Sequence, residues 1–323
     1  MKNLPRIHLA HLPTPVDELP RLSAHLGGPQ MLIKRDDQTG LAFGGNKTRK
    51  LEYLLAEAQS LGARTVITGG AIQSNHCRQT AAAAARLGLD CILVLGGDRP
   101  PEPSGNLLLD LLFGAEIVWT QMSERDATLQ ATYETAKEAG RKPYLVPYGG
   151  SNPVGASAYA FAIEELVDQG VNPDWVVFAS SSAGTQAGMV AGAHLTSFEG
   201  NILGMSVDEH EDDLKARVAG LASETAAHLG QPTTFTPDQI LVNADYLGEG
   251  YGIMNAQDRE AVHLFAKFEG ILFDPVYTGR AAGGMIDLIR KGFFSKDETV
   301  LFWHTGGTPA LLADKYRAVL EDS

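Results

Sequence analysis

Short apolar runs of strand length alternate along the chain with longer stretches whose apolar positions recur at helical spacing. Residues 64–68, 91–95, 117–120 and 144–146 read as strands, and 75–87, 106–113 and 124–139 between them read as helices. An earlier strand at 31–34 follows a start punctuated by Pro5, Pro13, Pro15 and Pro20. Ser151-Asn152-Pro153 is a helix-start signal for a helix reaching about residue 169. The pattern then repeats, with strands predicted at 175–179, 202–207, 271–273 and 300–303. Between and after them come a small-residue helix through Gly192, helices at 214–229 and 256–268, one ending near Arg290, and a last one closing the chain. This alternation implies right-handed crossovers and largely parallel sheets, an α/β architecture. Residues 1–47 with 156–323 are expected to form a large lobe, and 48–155 a smaller one inserted into it.

Composition changes the picture mainly by exclusion. At 323 residues the chain exceeds what one compact core usually needs, which fits two lobes. Its 39 acidic against 26 basic residues give a formal charge of −13, which speaks against nucleic-acid or anionic-membrane partners. Cys77 and Cys91 are too few for a disulfide framework and form no metal-ligand cluster, which fits a reducing cytosol. No apolar run reaches the length of a membrane span, and the N-terminus lacks the apolar core of a secretory signal, so a cytoplasmic protein is expected. The acidic run 208–213 reads as a loop and first helical turn, where carboxylates complement the dipole.

Four loops carry candidate chemistry. Lys47 follows Gly44-Gly45-Asn46 and precedes a helix marked by Leu51, Leu54, Leu55 and Ala58. The glycines permit a sharp turn and close approach of a ligand. A lysine in a first helical turn faces the positive end of the dipole, so its pKa is expected to fall toward that of a nucleophilic amine. The same string alone also describes a solvated lysine at a helix start. Ser181-Ser182-Ala183-Gly184-Thr185 joins a strand to a helix and could cradle a phosphate on the helix N-terminus, although it is neither a P-loop nor a dinucleotide fingerprint. Its plainer reading is an ordinary helix cap. A reactive lysine with a phosphate cup is what pyridoxal 5′-phosphate requires. Gln73-Ser74-Asn75-His76 offers donors for a substrate carboxylate or the cofactor's ring oxygen, and Thr305, in His304-Thr305-Gly306-Gly307, could face the pyridine nitrogen.

With Asp274-Pro275-Val276-Tyr277-Thr278-Gly279, these stretches in this order resemble the ACC deaminase/D-cysteine desulfhydrase family. Its members are pyridoxal-phosphate enzymes of the tryptophan synthase β-subunit fold, or fold type II. The resemblance implies two domains, each an open, mostly parallel sheet flanked by helices, with the cofactor on the larger. It implies that Lys47 bonds the cofactor and acts as base, while Ser181, Ser182, Ala183, Gly184 and Thr185 hold the phosphate. Asn75 would face the cofactor's O3′ and Thr305 its pyridine nitrogen. Ser74 would contact the substrate carboxylate, with Asn75, His76 and Thr278 also at the substrate and Tyr251 and Tyr277 flanking it. His304 reads instead as a buried, hydrogen-bonded histidine. A small amino-acid substrate and a homodimer are implied as well.

Within the family, a neutral Thr305 delocalises charge into the ring less than a carboxylate would, which favours prompt loss of a β-substituent. The expected reaction is β-elimination to pyruvate and ammonia, with sulfide leaving from D-cysteine. Thr278 stands where ACC deaminases carry Glu, so that reaction is the less expected. L-cysteate sulfo-lyases are similar over 246–252, but Thr308-Pro309-Ala310-Leu311 is more similar to the desulfhydrases. The loop 96–105 is shorter and richer in proline than theirs, and could border the substrate or face solvent. A non-catalytic protein binding a phosphate ligand on the same scaffold is the alternative of a different class.

Overall fold

The strand and helix alternation resolves into two sheets in the computed structural model, which describes residues 1–321. The smaller is parallel throughout, in the order β5 (Glu116–Thr120), β4 (Asp90–Gly96), β3 (Thr65–Ala71), β6 (Pro143–Leu145). The larger orders β1 (Val16–Glu18), β2 (Gln30–Lys34), β10 (Thr299–Trp303), β7 (Trp175–Ser180), β8 (Asn201–Ser206) and β9 (Leu241–Asn243). Its β1 runs antiparallel to β2, and its other pairs are parallel. Parallel neighbours need long crossovers, which here are helices.

Period-two alternation within the central strands feeds two cores. Val300 and Phe302 of β10 pack with Ile33, Phe265, Phe273 and Met285, whereas Leu301 and Trp303 pack on the other face with Tyr159, Ile163 and Phe178. Both faces are therefore covered, as a parallel sheet requires. In the smaller sheet Val66 and Leu93 meet Leu51 and Leu55 of α2 (Asn46–Ser60) and Ala83 of α3 (Asn75–Leu87). Local chemistry sets the helix ends. Ser74 caps α3 by accepting from the Cys77 N–H at 3.2 Å, and Gly88 ends it at φ 68°. Asn152 accepts from the Gly155 N–H at 2.9 Å to start α6 (Pro153–Asp168).

Several segments differ from the sequence expectation, the unexpected β1 among them. Residues 271–273 form no strand: the Leu272 carbonyl accepts from His304 Nε2 at 3.1 Å and the Ile271 N–H donates to Phe265 O at 3.3 Å. Ile271 and Phe273 are buried while Leu272 is exposed, so the segment has a strand's alternation without its ladder. Helix α1 (Pro20–Leu26) begins on a proline, which punctuates loops but also suits a first helical position. The three-residue edge strand β9 is too short to leave a period. No described helix is long and apolar enough to cross a membrane.

Candidate active site

The loops after β3, β7 and β10 converge on one cavity at the carboxyl ends of their strands, where open α/β sheets bind ligands. Lys47, the second residue of α2, lines it. The helix can start there because Gly44 (φ +65°) and Gly45 (φ +126°) make the turn; a Cβ on Gly44 would overlap the Asp37 carbonyl. A glycine cap has no side chain, so the first N–H groups are served from elsewhere. Asn46 N–H donates to Thr305 O at 3.0 Å and Thr48 N–H to Gln79 Oε1 at 2.7 Å. The turn bearing Lys47 is thereby fixed to the loop after β10 and to α3 together.

A side-chain chain then runs to the third loop. Lys47 Nζ donates to Asn46 Oδ1 at 3.1 Å, and Asn46 Nδ2 donates to Thr185 Oγ1 at 3.1 Å. Thr185 belongs to α7 (Gly184–Thr196), a 13-residue helix whose cap, Ala183 at φ +66°, provides no side-chain acceptor. The Gly184 N–H is taken by Ser182 O at 2.8 Å and Ser151 Oγ at 3.2 Å, which leaves the dipole and the following N–H groups of the first turn to an anion. Ser181, Ser182, Ala183 and Thr185 line the cavity, with Gly184 packed behind them. A Cβ on Gly184 would come within 2.5 Å of Ser151 Oγ, and one on Gly149 would overlap Ser182 Oγ, so two glycines let the loops meet. Ser180 Oγ, also in the lining, is buried and has no partner among the described residues.

The facing wall is the N-terminus of α3. Ser74 Oγ accepts from its own helix, which leaves the hydroxyl proton free to donate. Asn75 Oδ1 accepts from Arg78 Nη1 at 3.0 Å and Asn106 Nδ2 at 2.9 Å, which leaves Asn75 Nδ2 as a donor. Arg78 also donates to Gly44 O at 2.9 Å, and burial pushes its guanidinium down to about 10. His76 Nε2 meets Thr68 Oγ1 at 2.9 Å while that hydroxyl's proton goes to Val146 O, so Nε2 carries the hydrogen and Nδ1 is a bare acceptor. Burial holds the His76 imidazole well below its ordinary pKa, hence neutral.

Tyr277 lines the cavity and its hydroxyl lies 2.6 Å from that of Tyr251, which stands outside the lining. Burial raises both phenols, so both keep their protons at neutral pH. Thr278 does not reach the cavity. It is fully buried at the start of α10 (Thr278–Arg290), where its hydroxyl donates to Asp274 Oδ1 at 2.7 Å. The same carboxylate takes the Val276 and Tyr277 N–H groups, so this pair shapes the turn that presents Tyr277. Thr305 lines the cavity. His304 is buried, donating to Leu272 O through Nε2 and accepting from the Gly306 N–H at 3.2 Å through Nδ1. Sequence reasoning missed Asn46, Arg78, Tyr148, Gly149 and Asn106 as parts of the site. The Gly149-Gly150 pair is a readable signal for its loop; the others depend on long-range partners.

Residues 7–306 match the family of pyridoxal-phosphate dependent enzymes. The chain belongs to that family. It is 43% identical over 322 residues to a D-cysteine desulfhydrase of Salmonella typhi, with 97% of each chain covered. Among solved structures it is similar to an ACC deaminase homologue, with a TM-score of 0.90 and 38% identity over 99% of this chain and 96% of the other. O-ureido-L-serine synthase shares its fold, with a TM-score of 0.70 at 18% identity over 98% and 95% of the two chains. The fold is therefore fold type II, and the relatives put this enzyme with the carbon–sulfur lyases of the family.

The donors of this pyridoxal-phosphate enzyme fit its cofactor. The α7 terminus and its hydroxyls suit a phosphate, Asn75 Nδ2 suits a ring oxygen, and Lys47 supplies the amine. Burial pushes the Lys47 ammonium down to about 8, opposed by Asp274 and helped by Arg78. The direction agrees with the sequence expectation, and desolvation is its main cause. In cofactor-free protein, capture of pyridoxal phosphate by Lys47 should quicken about tenfold per pH unit while the ammonium prevails, since the neutral fraction rises so. It should level off above a pH of about 8. Stopped-flow absorbance checks this, and a rise continuing to the ordinary lysine range would contradict it.

Proposed function

We propose that the protein is a β-eliminating lyase that converts D-cysteine to pyruvate, ammonia and hydrogen sulfide. When bound, pyridoxal phosphate supplies an electron sink that acidifies the hydrogen on the substrate Cα. The free hydroxyl of Ser74 and the N–H groups of α3 bind the substrate carboxylate. Lys47 Nζ takes the Cα proton; the Cβ–S bond breaks with its electron pair leaving on sulfur. Tyr277, a protonated phenol paired with Tyr251, faces the departing sulfur and can give it a proton. The product 2-aminoacrylate adds water and loses ammonia to give pyruvate. Thr278 works through Asp274, which sets the Tyr277 turn.

The observation that carries the choice of leaving group is charge. Lys47 is the single cationic side chain in the cavity lining among the described residues, and His76 is neutral there. Phosphate and substrate carboxylate occupy the two helix termini, so a sulfonate would bring a third anion without a partner. A thiol brings none. The kinship to D-cysteine desulfhydrases supports the same choice and the D configuration. Holoenzyme assayed with D-cysteine, L-cysteine, L-cysteate and ACC in parallel should give sulfide and pyruvate fastest from D-cysteine. Faster sulfite release from L-cysteate, or 2-oxobutyrate from ACC, would overturn the reading.

A further inference from the structure

Behind the α3 wall of the cofactor cavity stands a cation that the proposed reaction does not use. Arg78 is fully buried, and among the described residues its guanidinium meets neutral acceptors only. Its Nη1 donates to Asn75 Oδ1 at 3.0 Å and Asn106 Oδ1 at 2.7 Å, and its Nη2 to Gly44 O at 2.9 Å. Burial takes it down only to about 10, so it stays charged at neutral pH. Asp110 lies one turn beyond Asn106 on α4 (Gly105–Leu112), buried, with neither carboxyl oxygen partnered among the described residues. Burial raises that carboxyl to about 8, so it holds its proton and does not neutralise the guanidinium.

A guanidinium has donors and no acceptor, so it fixes the sense of every amide it touches. Asn106 turns its Oδ1 to Arg78, which sends its Nδ2 to Asn75 Oδ1 at 2.9 Å and Gln73 O at 2.8 Å. The Asn106 N–H, donating to Gln73 Oε1 at 2.8 Å, clamps that arrangement from the backbone. Asn75 Oδ1 is thereby filled from two sides, and Asn75 Nδ2 alone is left for the cavity. A Cβ on Gly307 would come within 2.7 Å of Asn75 Nδ2, so the loop bearing Thr305 closes against the same amide. Turned the other way, the amide would set its oxygen toward the cofactor's ring oxygen, two acceptors facing with no proton between them.

We propose that Arg78 is a positioning residue for the cofactor: it acts through Asn75, holding the amide so that only its nitrogen can meet the ring oxygen. The proposal rests on the reading of Asn75 Nδ2 as the ring-oxygen donor, and not on which substrate the enzyme cleaves. The unneutralised charge also polarises the amide through Oδ1 and makes its N–H a stronger donor. Lysine cannot replace the fork, because a single ammonium leaves Gly44 O and the two asparagine oxygens to compete for it.

The test titrates cofactor-free protein with pyridoxal phosphate, reading the dissociation constant and the absorbance band of the bound cofactor, which reports the charge on its ring oxygen. Wild type, Arg78→Lys, Asn75→Ala and the double variant are compared, with Arg78→Met as a second substitution that leaves no cation buried. Far-ultraviolet dichroism establishes that each is folded. Both arginine variants should bind at least about tenfold more weakly and show a moved band. In the Asn75→Ala background the same substitutions should weaken binding by no more than about twofold further, because the amide they act through is gone. Full multiplicative losses in that background would overturn the proposal, as would arginine variants that lose only thermal stability and keep affinity and band. If Asn75→Ala itself binds like wild type with the same band, the reading of Asn75 falls and the proposal with it, while the proposed substrate is untouched.

Discussion

Lys47→Ala should lower turnover by on the order of 10⁴-fold, because it removes both the cofactor's covalent anchor and the base that takes the Cα proton. The fold should survive. Among the described residues Lys47 Nζ has one hydrogen-bond partner, Asn46 Oδ1, and its removal forfeits a hydrogen bond of about 1 kcal/mol while relieving an amine held in a desolvated place. The turn that carries it stays fixed by Thr305 O and Gln79 Oε1, which bind backbone groups and are indifferent to the side chain. Lys50, one helical turn along, cannot take over: its Nζ is buried against Gly149 O at 3.1 Å, behind the lining. Pyruvate formation, far-ultraviolet dichroism and borohydride trapping followed by peptide mapping check these points together. Turnover near the wild-type rate, or cofactor trapped on another lysine at full yield, would refute the role of Lys47.

The loops that meet at this cavity were legible because glycines and small polar residues punctuate a strand-to-helix pattern at each of them. Gly44-Gly45, Ser181-Ser182-Ala183-Gly184 and Gly306-Gly307 mark places where backbone must turn or approach closely, and such needs are written locally. What binds the loops to one another is not written so. Asn46 with Thr185 spans 139 positions, and Arg78 with Asn106 spans 28, so neither pair leaves a period or motif. Thr278 illustrates the opposite failure. It sits within a recognisable motif beside Tyr277, yet its side chain turns back to Asp274 and away from the cavity. The segment 271–273 misleads similarly, since alternating burial reports which side chains face the core and not where the backbone bonds go. Burial itself is the quantity least visible beforehand. It lowers Lys47 and keeps His76 neutral, and it depends on the closure of both sheets around them.

Arg49→Ala should destabilise the enzyme by about 3–5 kcal/mol, the cost of leaving a buried charge without its partner. Two residues beyond Lys47, Arg49 grips Asp36 through Nε at 2.9 Å and Nη2 at 2.8 Å, and Glu165 through Nη1 and Nη2 at 2.9 Å. Tyr159 adds a hydrogen bond to Asp36 at 2.6 Å, and Lys34 one to Glu165 at 2.7 Å. The cluster joins α2 to the edge of β2 and to α6, so it anchors the helix that presents the lysine. Burial alone would raise the Asp36 carboxyl; Arg49 overcomes it and holds the group below its usual value of 3.8. A carboxylate whose folded pKa is depressed stabilises the fold above its unfolded pKa and loses that contribution as pH falls through the folded one. In the variant the sign inverts, since an uncompensated Asp36 prefers its proton in the folded state. The gap in stability between wild type and variant should therefore be widest near neutral pH and narrow as pH falls through the carboxylate range, beginning above 3.8 where the variant's Asp36 takes its proton and ending below it where the wild type's does. Urea unfolding followed by tryptophan fluorescence reports it, because Trp303 lies 5.9 Å from Tyr159 beside the cluster. A variant that unfolds at the wild-type urea concentration at neutral pH would show that the guanidinium is dispensable and that packing alone seats α2.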